Sequence, residues 1–449
     1  MKARRRIRVA AATCVVAIAA VGLGAGVASA QQIDPAVKNV KKVKAPKNCP
    51  SIPGVTDTEI KVGTIAPMTG PSSGSGFFPA IIDGVKARFA AANASNEVGK
   101  KLTLVSEDDK GDTAQNTAAA QKLVEQDKVY GIITESAAGG ASAPYLNQKK
   151  IPVVGWQLGL DIFGKYPNFF GFQNANAADL VHNYTSRNAA SQAKAGGKKV
   201  ALIGSNQGNS AVFIEQVADS YKQFPKLGVS LAYKTTDVPT GNTEWGSYAQ
   251  QIKDSGADTL YTALDTTSNI QLVNALKQAG ANIQHILLSA GYDPRVAAIP
   301  AFDGAILGIE FKPLETTPEP KGISDYKAAM AKYSPDAPVN QSAAVGWLSA
   351  NTFIEGIKQA GVTCPTQPGF ISNLRLLKGY TADGFFDPIN FQEVFNKPFP
   401  CAYYVQVVGG KFQPTFDGKP VCGEVVKNNK IQPPTTTVAG ATTATTAAK

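Results

Sequence analysis

A chain of 449 residues with 43% hydrophobic and 17% charged side chains is long enough for two domains and too apolar for a disordered polyelectrolyte. The net charge of +10 is not built as a basic face interleaved with aromatics, so no nucleic-acid partner is expected. Two histidines and no close cysteine pair leave no metal-ligand spacing, and neither metal nor cofactor is expected.

The chain begins with Lys2, Arg4, Arg5, Arg6 and Arg8, an apolar stretch from Val9 to Val27, and the small-residue site Ala28-Ser29-Ala30. That order reads as a signal peptide over residues 1–30 rather than a permanent membrane helix. Cys14 lies inside the apolar stretch and no cysteine closely follows the cleavage site, so no lipid-anchor motif is present. The protein is expected outside the cytoplasm, in the periplasm, the cell envelope or the medium. Residues 31–58 follow as arm and linker. Lys38, Lys41, Lys42, Lys44 and Lys47 make this arm basic; it reads as solvated and mobile, with wall or membrane-surface contact as the lesser alternative. The four later cysteines, Cys49, Cys364, Cys401 and Cys422, are an even number in an exported chain and allow three disulfide connectivities. Cys49 with Cys422 and Cys364 with Cys401 is favoured, since the first pair would tie the ends of the folded region together.

Ile60–Ile65 is the first expected strand, followed by a Pro/Gly/Ser loop. A helix starts near Phe77, because Phe77, Ile81, Val85 and Phe89 recur at helical spacing. Leu102–Val105 is the second strand. Asp112 or Thr113 caps a helix that runs to about Gln126. Val129–Gln157 then reads as buried strand, small-residue loop, short helix and second buried strand, with Trp156 and Gln157 leaving at the same sheet edge as Thr134–Gly140. In an open α/β sheet, small ligands dock at that edge. A second run of the same kind has strands at Val200–Gly204, Leu231–Tyr233, Leu260–Ala263 and Ile286–Leu288. After a Pro-rich stretch come a helix over Val345–Ile357 closed by Gly361, and a hairpin with Ala402–Val408, Gly409-Gly410 and Phe412.

Strand and helix alternate at regular spacing, which predicts an α/β fold of two lobes. Each lobe is a doubly wound, mostly parallel sheet with helices on both faces, and the cleft lies between them. Lobe 1 is assigned to 59–175 plus about 303–385, and lobe 2 to 176–302 plus about 386–425. Residues 426–449, rich in Thr, Ala and Pro, are read as a disordered tail.

Several stretches together resemble the type I periplasmic binding proteins, the branched-chain amino-acid (Leu/Ile/Val) receptors of ABC importers. They are Thr58-Glu59-Ile60-Lys61-Val62-Gly63 running into Pro67-Met68-Thr69-Gly70-Pro71, then Glu107-Asp108-Asp109, then the late helix Ala343–Gly361. The resemblance spans about residues 52–415. It implies a monomeric receptor, not an enzyme, that closes on an amino acid, amide or small carboxylic acid and delivers it to a membrane permease. By the same resemblance, Ser136, Ala137 and Ala138 hold a ligand carboxylate. Gln157 and Gly159 form the next loop beside Trp156, and Ser75 and Phe77 lie at the first. From the other lobe come Asn209, Asp265, Tyr292 and Asp293. Two departures stand out. Asn209-Ser210 replaces an aromatic common in the family, and no acid aligns cleanly with the acceptor of the ligand ammonium. Each residue also has a plainer role: Ser136 as a helix cap, Trp156 as core, Asp293 as a turn or cap before Pro294.

Two other functions are open. A sensor or surface receptor would use the same fold with another partner. Gly70-Pro71-Ser72-Ser73-Gly74 spells the G-x-S-x-G of a serine hydrolase, and Asp265 and His285 follow Ser72 in the required order.

Overall fold

The computed structural model describes residues 33–70, 77–157, 160–172, 181–182, 191–192, 194–206, 208–239, 241–288, 291–397, 401–423 and 426–427. The expected signal peptide, Ser72, Ser75 and Gly159 lie outside them.

Five parallel strands form the first sheet: β1 Glu59–Ala66, β2 Lys101–Asp108, β3 Gly131–Thr134, β4 Val153–Gly155 and β5 Phe169–Phe170, in the order β2-β1-β3-β4-β5. The fully buried runs of β3, β4 and β5 are explained by cover on both faces. Ile60, Val62, Ile133, Val154 and Phe170 enter one core, while Ile65, Ile132, Val153 and Phe169 enter another. On the first face lie helices α1 Phe77–Ala94 and, from late in the chain, residues 321–375. On the other lies α2 Thr113–Gln121, whose Asp112 cap accepts from Gln115 N at 2.9 Å.

After the short strand β6 Val181–His182 the chain builds a second sheet. Its elements are β7 Lys199–Ser205, α3 Gly208–Gln223, β8 Ser230–Val238, α4 Gly246–Asp254, β9 Thr259–Ala263, α5 Thr266–Ala279, β10 His285–Leu288 and β11 Ile306–Ile309. These five strands are parallel, in the order β11-β10-β9-β7-β8. The chain then returns to the first sheet with α6 Lys321–Tyr333, α7 Gln341–Ala360 and α8 Gln367–Arg375. It crosses back for β12 Cys401–Val408, β13 Lys411–Pro414 and β14 Val421–Cys422, all antiparallel additions at the β11 edge. Gly409 and Gly410 make the expected hairpin turn with φ of 58° and 78°, values open to glycine at no steric cost.

The closest contact between long helices is α1 against α7. A Cβ on Gly84 would stand 1.9 Å from the Ala343 carbonyl oxygen, and one on Gly346 1.8 Å from that of Ile81. Glycine at both positions lets the backbones touch. Arg88 lies over the Trp347 ring at 5.3 Å and bonds Asn351 and Glu97, closing the far end of the contact.

Several expectations differ from the structure. Both disulfides are re-paired: Cys49 bonds Cys364, and Cys401 bonds Cys422. Cys401 and Cys422 face each other across β12 and β14, with Cα atoms 4.0 Å apart, so neither can reach the partner first assigned to it. The arm is not mobile. Val37 is fully buried, and Val43 exchanges hydrogen bonds of 2.8 and 2.9 Å with the Asn373 side chain. Ile306–Ile309, expected in lobe 1, pairs with β10 in the second sheet, while Phe391, expected in lobe 2, packs on Phe170 of the first. The expected tail begins inside a strand, since β15 Val426–Lys427 pairs with β6.

Candidate ligand-binding site

Every loop singled out in the sequence leaves the C-terminal end of a strand. In a parallel sheet those ends share one edge. At the first sheet, β3 ends in Glu135-Ser136 and β4 in Trp156-Gln157. Ser136, 1% exposed, caps the turn Ala137–Gly140, its Oγ accepting from Ala138 N at 3.1 Å. Ala138 is buried and Ala137 exposed. Trp156 is half-buried against the core, and Gln157, 2% exposed, lies against Gly171. Phe77 begins α1; its side chain and that of Asn209 lie outside the description. Asp108 fastens the first loop, accepting from Met68 N at 2.9 Å and from the Thr69 hydroxyl.

Glu135 is a residue that sequence reasoning missed. It is fully buried, and its Oε2 accepts from Trp156 N at 3.3 Å, joining the two loops of this edge. Ser349 of α7 stands beside the Glu135 carboxyl, and among the described residues Glu135 Oε1, the Ser349 Oγ and the buried Thr64 and Thr134 hydroxyls have no well-formed hydrogen bond. Burial pushes the Glu135 carboxyl up to about 8. The available signal was a lone acid ending an apolar strand.

At the second sheet, a cavity of about 260 Å³ is lined by Thr266, Thr267, Tyr292, Asp293, Gln341 and Ser342, among others. Tyr292 and Asp293 thus meet the residues next to Asp265. Asp265 itself is exposed and caps α5, accepting from Ser268 N at 3.1 Å and Ser268 Oγ at 2.6 Å. Ser210 joins two strand ends, accepting from Ser205 N and donating to the Ala263 carbonyl.

Tyr292 and Asp293 are both occupied. The Tyr292 hydroxyl accepts from Leu314 N at 2.8 Å and bonds Glu315. Asp293 Oδ1 accepts from Arg295 N and Nε, and Oδ2 from Arg295 Nη2 and Asn340 Nδ2, at 2.7 to 2.9 Å. Burial raises the Asp293 carboxyl, but these donors outweigh it and hold the group below its ordinary value. Asn340 also caps α7, and Gln341 N donates to the Tyr292 carbonyl at 2.9 Å. One helix therefore serves both edges. Ser342 lines the cavity and Ser349 faces Glu135, two turns and about 10 Å further along the same helix face.

The hydrolase arrangement does not assemble. His285 starts β10 opposite Thr259, whereas Asp265 lies beyond the far end of β9, more than about 13 Å away along the strand.

The chain matches the sequence profile described as periplasmic binding protein over residues 59–411, and it belongs to that family. These are extracytoplasmic proteins that bind small molecules for ABC transporters. Among solved structures it is similar to a leucine binding protein from Thermotoga maritima, 17% identical over 81% of this chain and 99% of that one, with a TM-score of 0.65. A fatty acid ABC transporter substrate-binding protein from Thermomonospora curvata is 17% identical over 83% and 95%, TM-score 0.66. A solute binding protein from R. palustris in complex with 4-hydroxybenzoate is 23% identical over 82% and 96%, TM-score 0.61. No curated protein matches it by sequence. Among the described residues, no helix is long and apolar enough to cross a membrane.

Proposed function

We propose that the protein is a solute receptor that closes on a small carboxylic acid and hands it to an ABC import permease. The supporting observation is the pair of sheet edges joined by α7, one with the Ser136 turn and one with the Tyr292–Asp293 cavity. Ser136 accepts from Ala138 N with its oxygen while keeping its hydroxyl hydrogen to donate. Leucine, 4-hydroxybenzoate and fatty acids, named for the three similar proteins, all carry a carboxylate. Asp293 favours an acid without an ammonium group, because its oxygens are already saturated by Arg295 and Asn340. Each sheet with its covering helices would act as one lobe, and closure is stabilised only as far as the solute bridges both.

Thermal unfolding in the presence of leucine, benzoate, a medium-chain fatty acid and simple amides tests this. A bound acid at a hundred times its Kd stabilises by about 2.7 kcal/mol. Silence from every probe would count against the receptor reading, and a response to leucine alone would restore amino-acid specificity. Ser136→Ala should weaken the responding acid about tenfold, the worth of one hydrogen bond to a charged group, while the unliganded protein stays folded with only the modest loss of stability that losing the cap on Ala138 N brings. Unchanged affinity with lowered stability would leave the serine only a cap.

A further inference from the structure

We propose that the lysine-rich strap over residues 35–48 is a docking surface for an anionic lipid bilayer, independent of any solute. Between Asp34 and Asp57 the sequence has five lysines and no acid. The structure sorts this stretch by face. Val37 is fully buried and Val40 and Val43 are half-buried, a spacing of three, while Lys38, Lys41, Lys42, Lys44 and Lys47 are all exposed.

The backbone beneath these lysines is pinned. Asn396 Nδ2 donates to Asp34 at 2.8 Å, Gln392 Nε2 to the Val37 carbonyl at 2.8 Å, and Asn373 holds both backbone groups of Val43. The Cys49–Cys364 bond closes the end. The charges therefore stand on a fixed line, which Lys38 to Lys47 can extend over no more than about 30 Å. They are not neutralised locally. Among the described residues none of the five is ion-paired, whereas nearby Lys358 and Lys378 are taken by Glu97 and Glu393.

The strap presents a line of ammonium groups with its apolar side chains turned inward. It suits a surface that is itself extended, negatively charged and indifferent to register, as phospholipid headgroups are. In the sequence the strap also follows closely on the apolar stretch Val9–Val27.

The test is flotation of the exported protein with phosphatidylglycerol-containing vesicles against pure phosphatidylcholine, at low and high salt. Binding should require the anionic lipid and be lost at high salt. Replacing Lys38, Lys41, Lys42 and Lys44 by Gln should lower it on the order of a thousandfold at low salt without changing the melting temperature. A control carrying Gln at Lys222, Lys277, Lys411 and Lys419, exposed lysines on the second sheet, its helices and its loops, should bind as the parent does. Equal binding to both lipids, or equal losses in the two variants, would overturn the proposal. So would capture by a soluble anionic polymer with vesicles ignored, which would assign the strap to the cell wall.

Discussion

Glu135 ends β3 with a carboxyl that solvent does not reach, at the point where the two loops of the first sheet meet. Burial raises it from about 4.5 to about 8, so the folded protein holds the proton more tightly than the unfolded chain does. The stabilisation is full below about 4.5 and is lost as pH rises through about 8. Glu135→Gln keeps an oxygen for Trp156 N and cannot ionise. Denaturant melts should show the variant equal to the parent below pH 4.5. Above pH 8 it should be the more stable by a few kcal/mol, since each pH unit separating the folded from the unfolded value contributes about 1.4 kcal/mol. Parallel stability curves across that range would show that the carboxyl is not desolvated. At this scale the sequence was only half legible. Strand ends located Ser136, Trp156, Tyr292 and Asp293, but not what each side chain already held. Arg295 and Asn340 fill the oxygens of Asp293. Arg295 is near in sequence, but Asn340 arrives from 47 residues away and leaves no local trace.

The inner strands were legible as elements because a sheet covered on both faces demands apolar runs, and β3 and β4 show them. Helix α7 was legible in its middle, though its first turn, with Gln341 and Ser342 at the cavity, lay outside the expected span. Which sheet an element joins was harder to read. β11 is an apolar run like any other, and only its pairing with β10 and β12 assigns it. The α1–α7 contact depends on two glycines whose role needs both helices in place. Gly346→Ala would put a methyl group 1.8 Å from the Ile81 carbonyl oxygen, and backbone cannot swing aside as a side chain can. The expected cost is roughly 3 kcal/mol or more, read as a lower denaturation midpoint. Since α7 reaches both sheet edges, solute affinity should fall with it. A variant as stable as the parent would mean that the helices separate freely.

Across the whole molecule, the chain crosses between the two sheets after β5, after β11 and before β12. The Cys49–Cys364 bond fastens the strap across the helices of the first sheet and closes a loop of 315 residues. Removing it frees the unfolded chain more than the folded one, whose strap keeps its Asn373 and Gln392 contacts. Cys49→Ser should therefore lower stability by about 2–4 kcal/mol. Hydrogen exchange at Val43 should quicken to the rate of a local opening. An unchanged melting temperature would show that side-chain contacts alone secure the strap.

The sequence by itself determined what depends on short-range pattern: strand and helix order, the two α/β halves, the hairpin at Gly409-Gly410, and the sheet edge where the loops proposed for binding gather. Apolar periodicity and turn chemistry act within a few residues and survive in a linear reading. Tertiary structure alone decided the cysteine partners, the seating of the basic strap, the sheet that claims β11, and the saturation of Asp293. Each of these depends on groups brought together from distant positions along the chain, and the separation of two residues in sequence does not encode whether they meet.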